Sequence, residues 1–263
     1  MLYFSAKKPK GGRFRLDRAV IKSQAQAVIK RRQKPILIAS LLYVLLVVLF
    51  SYLSFRLTTP GTEQLLQIRD RLTELVARGD TREISRLISS YEAGWGETLV
   101  SDLLSYLQAI VAFGFLLLCF HAVRGDEVAP GMLLDGFALW LRVLLLELLT
   151  RIIITAGFWM LIVPGVIFLY NYRMTFYLLL RRPEFGVMDC LRESRLRMRG
   201  HRMELFRLDL SFLGWGLLSC IPVLGLAAAV WALPYWTCSC VLFYESVSTA
   251  YEADPPLEEN RFF

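Results

Sequence analysis

The stretch FALWLRVLLLELLTRIIITAGFWMLIVPGVIFLYNYRMTFYLLL, residues 137–180, decides the fold. Its 44 residues are almost all apolar, with the pair Pro164-Gly165 near the middle. As one helix it would run roughly 66 Å, about twice the thickness of a bilayer's hydrocarbon core. The run therefore predicts two membrane helices joined by a tight turn. Lipid cannot satisfy bare backbone amides, so helices carry the whole span, and the polar side chains retained inside it become the informative ones.

Working outward, the same pattern recurs. Spans are expected over 36–55, 103–122, 137–161 and 163–180. A last apolar stretch, 208–244, divides near Pro222 and Gly225 into two more. The expected fold is all-α, a polytopic transmembrane bundle of about six spans. The fifth is short, so a re-entrant hairpin in place of the last two spans is the alternative. The membrane domain covers 35–247, preceded by a basic interfacial segment at 1–34 and followed by an acidic tail at 248–263. In the first segment Leu16, Val20, Ala27 and Val28 are expected to share an apolar face. Overall, 56% of the 263 residues are hydrophobic and the mean hydropathy is +0.47, too apolar for a soluble domain.

The net charge of +7 is unevenly placed. Residues 1–34 hold eleven Lys and Arg against the single Asp17, and Arg173 to Arg207 adds nine more. The one long connection between the first two spans, Arg56 to Asp102, has six Lys and Arg against eight acids. Positive residues stay on the cytoplasmic side, so both termini are expected there. The basic start leads directly into a span, which predicts an uncleaved segment serving as its own insertion signal.

The long connection carries helical periodicity of its own. Leu65, Ile68, Leu72, Leu75 and Val76 lead to a break at Gly79; Asp80 and Glu83 have capping-box spacing; Ile84, Leu87, Ile88 and Tyr91 follow. An extracytoplasmic helical hairpin over 62–92 is expected, either as a lid on the bundle or as the docking place of a protein partner.

Within the spans, Arg142, Glu147, Arg151, Asn171 and Asp209 are the candidate intramembrane polar residues. Glu147 and Arg151 stand one turn apart and can pair. They read either as a structural pair or as part of a polar path. Outside the spans, the basic helix over 182–206 is the second candidate. Arg181, Arg182, Arg195, Arg199 and Arg202 are placed to meet anionic lipid headgroups, with Met188, Leu191 and Met198 on the opposite face. Trp215, Trp231, Tyr235, Trp236 and Tyr244 read as an interfacial aromatic belt, and Pro234 as a kink. Five cysteines have no zinc spacing, and there is no phosphate loop, nucleophile elbow or metal-binding helix motif. No catalytic residue, metal, cofactor or nucleic-acid partner is expected, and no enzymatic activity; the oligomeric state is left open.

The segments Ser194-Arg-Leu-Arg-Met-Arg-Gly200, Glu204-Leu-Phe206, Leu208-Asp-Leu-Ser-Phe-Leu-Gly-Trp215, Pro234-Tyr235 and Phe243-Tyr244-Glu245 resemble the bacterial DUF975 family of integral membrane proteins. Leu161-Ile-Val-Pro-Gly165, Tyr172 and Met174 match as well. That family is similar to the membrane domains attached to some glycerophosphodiester phosphodiesterases. The resemblance implies a multi-pass protein of the bacterial inner membrane and supplies no functional residue. Two functions stay open: a lipid-contacting or scaffold protein, or a small transporter or permease component with a polar path past Glu147, Arg151, Asn171 and Asp209.

Overall fold

A computed structural model describes residues 17–58, 62–90, 95–218 and 221–253. The first sixteen residues, the acidic tail beyond 253 and Cys220 lie outside them, as do the side chains of Leu65, Ile68, Leu87, Ile88 and Tyr91. Every regular element among the described residues is helical. Four helical segments, 33–57, 99–124, 162–181 and 225–253, are long and apolar enough to cross a membrane.

The chain divides into two compact units, 1–44 with 109–263, and 45–108. In the larger unit, α1 (Arg18–Arg31) starts at Asp17, whose carboxylate accepts the Ala19 N–H as an N-cap should. Ile21, Ala25, Val28 and Ile29 are its buried residues, while Val20 and Ala27 are exposed. The apolar face is thus rotated from the expected one. Tertiary packing sets it: Gln26 Nε2 donates to the Tyr235 hydroxyl, and Lys22 Nζ donates to the Ser211 carbonyl and stacks on Phe212. α1 is docked into the helical core.

α2 (Gln33–Thr58) follows after a single residue. Within the smaller unit, α3 (Thr62–Arg78) and α4 (Thr81–Ser90) are joined by Gly79-Asp80. Gly79 takes φ 69°, a left-handed conformation that costs a glycine nothing, and the Gly79 and Asp80 N–H groups donate to Val76 and Leu75 carbonyls. The Asp80 carboxylate then accepts the Arg82 and Glu83 N–H groups and caps α4. Leu72, Leu75 and Ile84 are half-buried, whereas Val76 is 66% exposed.

α5 (Trp95–Arg124) ends at Gly125, again at positive φ. The short α6 (Met132–Asp135) and a 3-10 turn, Gly136–Leu139, lie against it. Contact is backbone to backbone: a Cβ on Gly114 would collide with the Leu133 carbonyl, and one on Gly136 would lie 2.7 Å from the Ile110 carbonyl oxygen. The deciding stretch then gives α7 (Trp140–Met160) and α8 (Ile162–Tyr172). The break falls at Leu161 alone, in extended conformation. Pro164 belongs to the first turn of α8, where its missing N–H costs nothing. Gly157 and Gly165 let the two helices close: a Cβ on Gly165 would lie 2.5 Å from the Phe158 ring.

A turn at Arg173-Met174 separates α8 from α9 (Thr175–Arg181). The basic segment forms α10 (Val187–Arg197) and α11 (Arg202–Leu210), hinged at Gly200 with φ 85°. After turn residues Ser211-Phe212 comes α12 (Leu213–Leu218), only six residues long. α13 (Pro222–Ala253) is one 32-residue helix with Pro234 inside it. Proline at 234 cannot bond the Val230 carbonyl one turn earlier, and the buried Ser40 hydroxyl of α2 donates to that oxygen at 2.7 Å. The core gathers Ile29, Leu118, Leu146, Tyr177, Met198, Leu205 and Phe243, all essentially inaccessible.

Candidate functional site

Glu147 and Arg151 pair on α7, with Arg151 Nε 2.6 Å from the carboxylate. Arg142, nearer the start of α7, donates to the Pro183 carbonyl at 2.8 Å. Asn171 is buried on α8. Its backbone carbonyl accepts from Ser194, and its side-chain Oδ1 has no hydrogen-bond partner. Asp209, on α11, is the centre of a cluster that reaches across three helices and a turn. Its carboxylate accepts from Arg173 at 2.6 Å, from Trp236 Nε1 at 2.9 Å and from the Tyr170 hydroxyl at 3.2 Å. The Arg173 guanidinium also lies over the Trp236 ring. Arg173 and Asp209 line a cavity of about 560 Å³ whose other walls include Phe212, Ala232 and Leu233. The expected polar residues thus resolve into separate local sets.

Arg173 and Trp236 were legible only as a basic-segment residue and a belt residue. Their partnership requires α8, α11 and α13 to converge. The aromatic belt is corrected in the same way: Tyr235 and Tyr244 are buried, and Trp236 serves Asp209.

A second network joins α9, α10 and the end of α13. Arg181 lies 2.9 Å from Glu245 and 2.8 Å from Glu252, and it donates to the Tyr177 hydroxyl, which itself donates to Glu245. Arg182 reaches Glu252 at 3.3 Å and Glu184 at 3.5 Å. Arg197 is turned inward, only 4% exposed, bonded to Glu193 and Ser248 and lying over Tyr251. Arg181 and Arg182, expected to meet headgroups, are therefore engaged with protein carboxylates. The buried face of α10 consists of Cys190, Leu191, Ser194 and Arg197, followed by Met198; Met188 is exposed.

Arg195, Arg199 and Arg202 differ. They flank the Gly200 turn; Arg195 and Arg199 are exposed and Arg202 half-buried, and none lies in ion-pair range of a described carboxylate. Glu204, the nearest acid in sequence, is 2.9 Å from His201. Burial, then the charges of Arg199 and Arg195, hold Arg202 below the ordinary arginine pKa, and its Nε is buried without a partner. This is a concentration of positive charge with no protein counter-ion among the described residues. No group of three His, Cys, Asp or Glu among them could hold a metal.

Fold and composition together define an all-helical protein with four helices long and apolar enough to cross a membrane, and with a polar cluster on Asp209 and a basic surface on α10 and α11. The chain belongs to the DUF975 family, described as a protein of unknown function, whose family model matches residues 16–251. No curated protein and no solved structure matches it.

Proposed function

We propose that this protein is a multi-pass membrane protein that holds anionic lipid headgroups on a basic cytoplasmic surface, without catalysing a reaction. The observation that carries this reading is the trio Arg195, Arg199 and Arg202, which has no counter-ion among the described residues, beside a network in which Arg181, Arg182 and Arg197 are matched by glutamates. Among the described residues, Arg181, Arg182 and Arg197 have carboxylate partners and Arg195, Arg199 and Arg202 have none. An anionic surface is the natural complement, with each basic residue contributing roughly 1 kcal/mol near such a membrane.

The charge arrangement supports one basic end. Arg32 donates to the Gly125 carbonyl beside Arg124, and Glu245 of α13 meets Arg181. The end of α1, the end of α5, the α9–α10 region and the end of α13 are thus contiguous. These are the segments that the distribution of Lys and Arg assigns to the cytoplasmic side of an inner membrane. Beyond the four apolar helices, α7 with 21 residues, about 31 Å, suffices for a further span. The broken α11–α12 segment supplies the sixth span, or a re-entrant element. Trp159 to Val163, at the α7–α8 tip, are 69–87% exposed and apolar, which suits contact with lipid. In this reading α3 and α4 form the extracytoplasmic hairpin, available to a protein partner. The proposed kinship with phosphodiesterase membrane domains is compatible with a lipid-facing role.

Native mass spectra of protein extracted with its own membrane lipids test the proposal. Retained anionic lipid whose number falls in the R195Q/R199Q/R202Q variant supports it; equal retention by that variant refutes it. A transporter rests on the cavity beside Asp209 and on a water path reaching Glu147. Reaction of a cysteine placed at 147 with a membrane-impermeant thiol reagent would favour that second reading.

A further inference from the structure

A second cavity, of about 300 Å³, lies where α1 and α5 end against α13. Its walls are Ala27, Val28, Ala122, Val123 and Leu242, and its polar lining is Gln24, Arg31, Arg32, Arg124, Gly125 and Glu245. Three arginines therefore face one glutamate, and that glutamate is already held by Arg181 and Tyr177. Arg32 is fixed, because it donates to the Gly125 carbonyl at 2.7 Å and closes one side. Arg124 leans on the Phe120 ring, and Arg31 is exposed without an ion pair among the described residues. Gln24 adds an independent signal: its Oε1 is buried and has no hydrogen-bond partner. A polar atom in that state takes its hydrogen bond from whatever fills the cavity, a ligand or water.

We propose that this cavity is a binding site for a glycerophosphate group. The phosphate would be held by the guanidiniums of Arg31, Arg32 and Arg124, a hydroxyl would donate to Gln24, and the apolar walls would cover the carbon skeleton. Arginine suits a phosphate because its planar fork offers paired donors. A bare phosphate would leave the apolar walls uncovered, and a neutral polyol would leave the arginines uncompensated. The group belongs either to a phospholipid headgroup such as phosphatidylglycerol or to free glycerol phosphate. The site is separate from the α10–α11 surface and discriminates headgroup chemistry, which a patch of surface charge does not. The lipid source rests on the membrane reading above; the anion and hydroxyl recognition does not.

The test titrates the whole protein in neutral detergent, with native mass spectrometry as readout and phosphatidylglycerol, phosphatidic acid, glycerol phosphate and inorganic phosphate as probes. One phosphatidylglycerol should bind several-fold more tightly than phosphatidic acid. The R31Q/R124Q variant should weaken it at least ten-fold, while R195Q/R199Q/R202Q leaves that single site intact. Both arginines are surface residues, so the fold survives their replacement, which a thermal melt verifies. Q24M should erase the preference for phosphatidylglycerol over phosphatidic acid. Binding of free glycerol phosphate as tight as that of the lipid assigns the soluble source to the same site. Unchanged affinity in R31Q/R124Q overturns the site. Inorganic phosphate binding as tightly as either glycerol compound overturns the ligand class.

Discussion

Asp209 shows how one side chain can organise a region that its own sequence neighbourhood does not announce. Arg173 and Asp209 are 23% and 17% exposed, so each ion depends on the other and on Trp236 and Tyr170. Removing one charge strands its partner. Asp209→Asn should therefore cost about 3 kcal/mol in reversible unfolding. The double replacement R173M/D209L should recover most of that loss, since an apolar pair has no desolvation penalty to offset. Cys190 offers a second test at this scale. Burial, and then the Asp189 carboxylate, push its thiol up to about 11 from an ordinary value near 9. The folded protein keeps the proton that the unfolded chain releases, so this group's stabilisation is complete below about pH 9 and is lost as pH rises toward 11. In a variant retaining only this cysteine, alkylation at pH 7.5 should be negligible until denaturant is added. The loss of stability between pH 9 and 11 should shrink in Cys190→Ala.

Among the elements, α13 is the most instructive. It starts at Pro222, where the sequence divides the stretch 208–244, and it contains Pro234, which was legible as a kink residue. Nothing in that sequence indicates that a serine 194 positions earlier would satisfy the carbonyl Pro234 leaves open. The Ser40 hydroxyl does so, and α13 continues for 32 residues. Ser40→Ala should destabilise the protein by about 1 kcal/mol, while Ser40→Thr, which keeps the hydroxyl, should lose less. Denaturation from mixed micelles measures both. The rotated face of α1 has a similar origin. Periodicity located the helix, but Gln26, Lys22 and the buried Ile21, Ala25 and Ile29 follow the shape of α13 and its neighbours. By contrast, the helix break at Gly79 and the Asp80 cap of α4 were readable, because Gly79 and Asp80 act on backbone groups within five residues of themselves.

For the whole molecule, the apolar segments and the uneven charge were visible in the sequence, whereas the division of the arginines into two populations was not. Arg181, Arg195 and Arg197 belong to one basic segment and look alike in a count. Glu245 and Glu252 on α13 partner Arg181, and Arg197 meets Glu193 on its own helix and Glu252 across from it, while Arg195 has no carboxylate partner among the described residues. The central claim is that the second population meets anionic lipid. Its most direct test places a fluorophore at Met203, which is exposed beside Arg202, using a Met203→Cys variant otherwise lacking cysteine. The protein is reconstituted with either anionic or zwitterionic lipid spin-labelled at the headgroup. Stronger quenching by the anionic lipid, with the excess abolished in R195Q/R199Q/R202Q, is the predicted result. Equal quenching by the two lipids, or an excess that survives loss of the three arginines, would contradict it.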